Sequence, residues 1–153
     1  MILSREVAMQ IRELVRKEEI EQAMELAWSV FQEFEAPDYS EAGSKEFHRS
    51  IHDRQFLDTL RVYGAFQQNA LIGTIATCNH GTHIALFFVS GRFHRRGIGK
   101  ALFAQACQEN FSGKMTVNSS PFAVPVYHQL GFKDSDNEHV VNGLRFTPME
   151  CML

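Results

Sequence analysis

The stretch Leu86-Phe87-Phe88-Val89-Ser90-Gly91-Arg92-Phe93-His94-Arg95-Arg96-Gly97-Ile98-Gly99-Lys100-Ala101-Leu102 constrains this chain more than any other. An apolar run with strand character meets a short basic loop punctuated by glycine, and residues at helical spacing follow. Gly97 and Gly99 lack a Cβ, so the backbone there can take positive φ and let a ligand come close. The first turn of the helix presents unpaired N–H groups and the positive end of its dipole, which favour an anion by about 0.3–1 kcal/mol in exposed settings. Arg95, Arg96 and Lys100 add positive charge, and the guest that this combination predicts is a diphosphate.

Two commoner phosphate motifs fail on spacing. A P-loop needs glycine five residues before the Gly-Lys pair and Ser or Thr after the lysine, where this chain has His94 and Ala101. A dinucleotide fingerprint needs a third small residue at Leu102.

A second block follows, Met115-Thr116-Val117-Asn118-Ser119-Ser120-Pro121-Phe122-Ala123-Val124-Pro125-Val126-Tyr127-His128-Gln129-Leu130-Gly131-Phe132. Together the two blocks resemble the GNAT superfamily of N-acetyltransferases. His94-Arg95-Arg96-Gly97-Ile98-Gly99 is similar to its acyl-CoA loop, which reads Gln or Arg, two residues, Gly, one residue, Gly or Ala; His94 departs from the first position. The second block resembles the fifth strand, fourth helix and Leu-Gly-Phe corner of that superfamily.

The resemblance implies acetyl-CoA as co-substrate and no metal. Its pyrophosphate would lie on the loop from His94 through Arg95, Arg96, Gly97, Ile98 and Gly99 to Lys100, largely on main-chain N–H groups. The pantetheine arm would lie where the fourth and fifth strands splay apart, lined by Phe88 and Val89, with Asn118 hydrogen-bonding it. Asn118 reads equally well as a strand-end amide that satisfies a turn. Tyr127, four residues before Gly131, matches the tyrosine that protonates the departing thiolate; from pattern alone it is also a helix tyrosine packing its ring in the core.

The reaction sets its own demands. A lysine-like amine, with a pKa near about 10.4, is neutral in only about one molecule per few thousand at pH 7, so a base or a relaying water is required. The carbonyl oxygen needs a donor as it gains charge, and the Val89 N–H is the candidate. The thiolate benefits from an acid. No acidic residue lies within Ile84 to Val89, so the base is left among Glu33, Glu35, Asp38, His83 or water.

In chain order, Met9 to Val15 reads as a first strand, and Ile20, Ala23, Met24, Ala27 and Phe31 form one face of a first helix that ends before Pro37. Ser40 can cap a second helix holding Phe47 and Ile51, with Phe56, Leu57 and Leu60 continuing it or forming an extra turn. The acids Glu33, Glu35, Asp38, Glu41, Glu46, Asp53 and Asp58 are either a solvated face or the wall of a pocket for a cationic amine. Val62 to Phe66, Leu71 to Cys78 and Ile84 to Val89 are antiparallel strands leading into the loop. Gly97 to Asn110 is the main helix, and Lys114 to Asn118 a fifth strand parallel to the fourth, because a helical crossover joins them. Ser119-Ser120-Pro121 opens a further helix stopped by Gly131; Phe132 begins a sixth strand, and Leu144 to Met149, after the Asn142-Gly143 turn, is a seventh.

The expected fold is therefore α/β (α+β): one domain over residues 1–153, with a mixed, mostly antiparallel seven-stranded sheet, helices on both faces, and splayed parallel strands 4 and 5. At 153 residues and 44% hydrophobic content, the chain can bury roughly 70% of its unfolded surface without a staple. A net charge of −3 speaks against nucleic acid. Cys78, Cys107 and Cys151 are odd in number and far apart, as free thiols in a reducing compartment would be. The N-terminus, Met1-Ile2-Leu3-Ser4-Arg5-Glu6, meets charge too soon for a secretory signal, and no apolar run could span a membrane. The expected location is cytoplasmic. His48 and His52, and His80 and His83, have ligand-like spacing but no third partner, so no metal is expected.

The activity expected is N-acetyltransfer from acetyl-CoA to a small-molecule or peptide amine, by direct attack in a ternary complex. The alternative is a non-catalytic acetyl-CoA sensor. Polyamine, aminoglycoside, amino acid, small amine and protein N-terminus all stay open as acceptors, and a homodimer is admissible.

Overall fold

The computed structural model describes residues 9–153. The charged segment Met1 to Glu6 lies outside the described residues. The elements are β1 (Gln10–Leu14), α1 (Lys17–Val30), a π-helical turn (Phe31–Glu35), α2 (Glu41–Ser50), α3 (Arg54–Leu57), β2 (Arg61–Gln67), β3 (Ala70–Cys78), β4 (His83–Val89), α4 (Ile98–Gln108), β5 (Lys114–Ser119), α5 (Val124–Leu130), β6 (Lys133–Asp134), β7 (His139–Val141) and β8 (Leu144–Met152). A sheet path of seven strands runs β1-β2-β3-β4-β5-β8-β6, and β7 pairs with β8 off that path. Every described strand pairing is antiparallel except β4 with β5.

The run after Phe132, expected as a single sixth strand, is instead two short strands. A local turn separates them: Asp136 accepts from the Asn137 N–H at 2.8 Å and from the His139 ring at 3.0 Å, bonds that compete with strand pairing.

Helices cover both faces of the sheet. β3 is buried continuously from Ile72 to Ala76 and on to Thr77, because α1 packs on one side and α4 on the other. On the first side lie Ala23, Met24, Ala27, Val30 and Phe31, the i, i+3/i+4 stripe of α1 and its extension, against Val62, Ala76, Leu86 and Phe88. On the second side Ile98, Leu102 and Ala106 of α4 meet Ala65, Ile72 and Ile75. Gly73 permits this close approach: a Cβ there would stand 3.0 Å from the Leu102 side chain.

The second helix begins where capping chemistry requires. Ser40, in extended conformation, accepts from the Gly43 N–H at 3.1 Å. Gly43 itself touches the β7–β8 turn so closely that a Cβ would overlap the Gly143 carbonyl oxygen. The hairpin tip is thus seated on the first turn of α2, and Tyr39 fastens it further by donating its hydroxyl to the Arg145 carbonyl at 3.1 Å.

Candidate functional site

β4 and β5 pair only through His83 with Thr116 and Ile84 with Val117. Beyond these the strands part. The cause is an irregularity in β4: Ala76 faces Leu86 and Thr77 faces Ile84, so Ala85 is an extra residue with no partner on β3. Such a bulge bends its strand and moves its pairing groups by one position. Past the bulge, the Ser90 N–H donates to the Ile72 carbonyl at 2.8 Å. Backbone groups alternate sides along an antiparallel strand, so Ser90, Phe88 and Leu86 turn their N–H groups to β3, and Val89 and Phe87 turn theirs into the gap. Phe88 does not offer its backbone to the gap; its side chain is buried beside Phe47, with ring centroids 5.6 Å apart. Phe87 turns its backbone to the gap, and both Phe87 and Phe88 line the cavity there.

The loop after β4 is held by His94, whose Nε2 stands 2.6 Å from the Val89 carbonyl and donates to it when protonated at that nitrogen. Arg95 has φ 62° and Gly97 φ 82°, two left-handed residues that turn the chain into α4. No side chain caps this helix, and its first internal bond is from the Ala101 N–H to the Gly97 carbonyl. The N–H groups of Ile98, Gly99 and Lys100 are therefore open at the helix mouth. Arg95, Arg96 and Lys100 are exposed around it, and among the described residues no carboxylate pairs with them. Ile98 contributes only its backbone, since its side chain is buried in the core. A Cβ on Gly97 would meet nothing within 4 Å, and one on Gly99 would first meet Phe87 at 3.5 Å. That open space, with free amides on one side and cations on the other, fits a diphosphate and the start of an extended arm.

A cavity of about 420 Å³ opens where the two strands part, lined by residues of α2, β4, β5, α5, the π-helical turn and the β7–β8 hairpin. Tyr127 reaches it from α5, a helix that starts with Pro125 in its first turn and stops at the left-handed Gly131. The Tyr127 ring packs edge-on against Phe87 and Phe132, at 6.0 and 5.2 Å between centroids. The ring is thus part of the core, as the simpler expectation had it. Its hydroxyl opens into the cavity: among the described residues the buried side-chain polar atoms lacking a partner are Tyr63 Oη and Thr77 Oγ1, and the Tyr127 hydroxyl is not one of them. Burial, and after it the Glu35 carboxylate, push its pKa well above the ordinary phenol value, so the proton stays on the oxygen at neutral pH.

Asn118, exposed at the end of β5 opposite Pro148 of β8, lines the same cavity. Of the groups considered as a base, only Glu35 does. His83 is at the closed end of the β4–β5 pair, its Nδ1 2.8 Å from the Thr116 hydroxyl. Glu33 and Asp38 are exposed and outside the lining. Glu35 accepts from the Ser120 hydroxyl at 2.6 Å, and Ser120 Oγ in turn accepts from the Ala123 N–H at 3.3 Å. Desolvation is the main reason its pKa is raised from 4.5 to about 7; the Ser120 bond opposes the rise and Asp38 adds to it.

Among the described residues no group of three or more His, Cys, Asp and Glu side chains is arranged to hold an ion. The His48 and His52 rings pack 4.4 Å apart, and His52 Nδ1 is tied to the His48 carbonyl. The described cysteines are free, and no described helix is long and apolar enough to cross a membrane.

Comparison with known proteins adds an independent line. The family profile described as "Acetyltransferase (GNAT) domain" matches residues 35–153. A GCN5-related N-acetyltransferase structure from Rhodopseudomonas palustris superimposes with a TM-score of 0.80 at 19% identity, covering 100% of this chain and 99% of that one. PaiA N-acetyltransferase from Thermoplasma acidophilum, solved in complex with coenzyme A, gives 0.75 at 22% identity, covering 95% and 99%. The apo form of YjaB from Escherichia coli gives 0.72 at 20% identity, covering 94% and 97%. No curated protein sequence matches significantly.

Proposed function

Because the chain belongs to the GNAT acetyltransferase family, we propose that it moves the acetyl group of acetyl-CoA to a primary amine by direct attack in a ternary complex. The observation that carries this reading is the parting of β4 from β5 at Ala85, with the Phe87 and Val89 N–H groups on one side and the Tyr127 hydroxyl on the other.

Acetyl-CoA supplies an activated acyl group when bound. The open amides of Ile98, Gly99 and Lys100, with Arg95 and Arg96 beside them, hold its diphosphate. The gap-facing backbone of Phe87 and Val89 takes its arm in the manner of an added strand, and Asn118 flanks the arm from β5. The Val89 N–H donates to the carbonyl oxygen as negative charge gathers there, the kind of interaction whose removal costs about 2.7–4 kcal/mol in known oxyanion holes. Tyr127, kept protonated by its surroundings, gives its proton to the departing sulfur. A sensor that only bound the coenzyme would have no use for the cavity with its carboxyl beyond the gap, and this favours the enzyme.

The test is Tyr127→Phe, which preserves the ring packing and removes only the hydroxyl. Acetyl-CoA binding by calorimetry is expected within about twofold of the parent, while release of CoA thiol at saturating substrates falls tenfold or more. Undiminished turnover removes Tyr127 from the chemistry.

A further inference from the structure

The walls of the acceptor cavity are aromatic, and its charge is sparse. Phe31, Tyr39, Phe47, Phe56, Phe88 and Phe146 line it. Phe31 stacks on Phe47 with centroids 4.1 Å apart and on Tyr39 at 5.3 Å, a buried aromatic stack that fixes Tyr39 in the wall. Three lining residues carry charge: Glu35, Glu46 and Arg145. Two of them are already engaged. Both Glu46 oxygens accept from Arg49, at 2.7 and 3.1 Å. Arg145 donates to the Asp38 carbonyl at 3.0 Å and to Glu138 at 3.1 Å. Glu35 alone has no cationic partner among the described residues; its bond is to the Ser120 hydroxyl.

A cavity so built accommodates one ammonium and a flat body. An acceptor with several ammonium groups finds a single unengaged counter-charge among the lining residues, so its further charges gain nothing from the cavity. An aromatic or similarly flat apolar body instead gains contact with Tyr39, Phe56 and Phe146, lining rings that are only partly buried. We propose that the acceptor is a primary amine bearing a single positive charge on an aromatic or flat apolar body, and that Glu35, oriented by Ser120, is the group that takes its proton. This assignment rests on the acetyl-transfer reading and narrows it.

The protons balance. The nitrogen of the ammonium loses two over the reaction: one passes to Glu35 and on to solvent, and the other replaces the proton that Tyr127 gives to the sulfur. One C–N bond forms and one C–S bond breaks. Burial sets Glu35 to titrate at about 7, with Asp38 adding to the rise. The other titratable groups around it are Tyr39 and Tyr127, both held protonated by burial, and the engaged pairs of Glu46 and Arg145. Base activity therefore increases as pH rises through that value.

The experiment compares thiol release from acetyl-CoA with 2-phenylethylamine, spermidine and kanamycin as acceptors, between pH 5.5 and 8.5, for the parent protein and for Glu35→Gln. The expected result is a kcat/KM for 2-phenylethylamine at least tenfold above that for either polycation. Glu35→Gln lowers it tenfold or more and removes the rise centred near pH 7, with acetyl-CoA binding by calorimetry unchanged. Spermidine or kanamycin turned over as well as 2-phenylethylamine overturns the acceptor class. A pH profile that keeps its acidic limb in Glu35→Gln overturns the role of Glu35. Thiol release with none of the three amines, while acetyl-CoA still binds, overturns the transfer reading together with this one.

Discussion

Glu35→Gln also has a consequence for folding whose size follows from the structure. The carboxyl has an ordinary pKa of 4.5 and is raised to about 7 in the fold, chiefly because burial disfavours its charged form. A group raised in the folded state is without penalty below its unfolded pKa and costs most above its folded one. Stability attributable to Glu35 is therefore fully present near pH 4 and lost as pH rises through 7. At about 1.4 kcal/mol per pH unit, the span from 4.5 to about 7 corresponds to roughly 3 kcal/mol. Glutamine matches the neutral acid in shape, can still accept from the Ser120 hydroxyl, and does not titrate. Relative to the parent, the variant is thus expected to gain on the order of 3 kcal/mol between pH 4 and pH 8. For a chain of 153 residues that is a relative rise in Tm of roughly 6–12 °C. Thermal melts of both proteins across that range read it directly, because every other titrating group cancels in the difference. A Tm difference that stays constant with pH refutes the account of Glu35 as a desolvated carboxyl.

Two further substitutions separate the coenzyme side from the acceptor side. Gly99→Ala replaces a glycine within the first turn of α4, where a Cβ meets only Phe87 at 3.5 Å and Val89 at 3.9 Å, so the fold should gain about 0.5–1 kcal/mol. Acetyl-CoA affinity should nonetheless drop tenfold, read by calorimetry, because the methyl stands in the mouth of the gap; unchanged affinity would mean that the arm passes elsewhere. Gly43→Ala brings a Cβ into the Gly143 backbone, to 2.9 Å from its carbonyl carbon. Overpacking of that kind costs about 1–3 kcal/mol, or roughly 2–12 °C in Tm. It should raise the KM for the amine and leave that for acetyl-CoA in place, since the displaced hairpin lines the cavity beside Glu35 and is not part of the loop around Gly97; equal effects on both would refute that division.

The loop proposed for the coenzyme was legible in the letters because its geometry is local. Gly97 takes the left-handed conformation that a strand-to-helix turn demands, and the amides it exposes follow within three residues. Gly131 and Tyr127 are likewise fixed within a single short helix. The acceptor side was not legible, because its contacts join distant parts of the chain. Glu35 was one of several acids until Ser120 was brought to it from 85 positions away. The Asn142-Gly143 turn announced itself, yet nothing near it foretold that it would rest against Gly43. The bulge at Ala85 was hidden too, since the run Ile84 to Val89 reads as an unbroken strand and only pairing with β3 reveals the extra residue.

The π-helical turn from Phe31 to Glu35 is the quiet determinant of that acceptor side. There the Ala36 N–H reaches back five residues to the Phe31 carbonyl, one more than an α-helix allows. Each residue of an α-helix advances about 100° around its axis, so the surplus residue swivels everything beyond it by nearly a third of a revolution. Phe31 keeps its seat in the core while Glu35 is steered toward Ser120. In lineages descended from this chain, the gain or loss of one residue here would redirect the carboxylate where no exchange of side chains could, making segment length, more than composition, the dial on which acceptor preference is set.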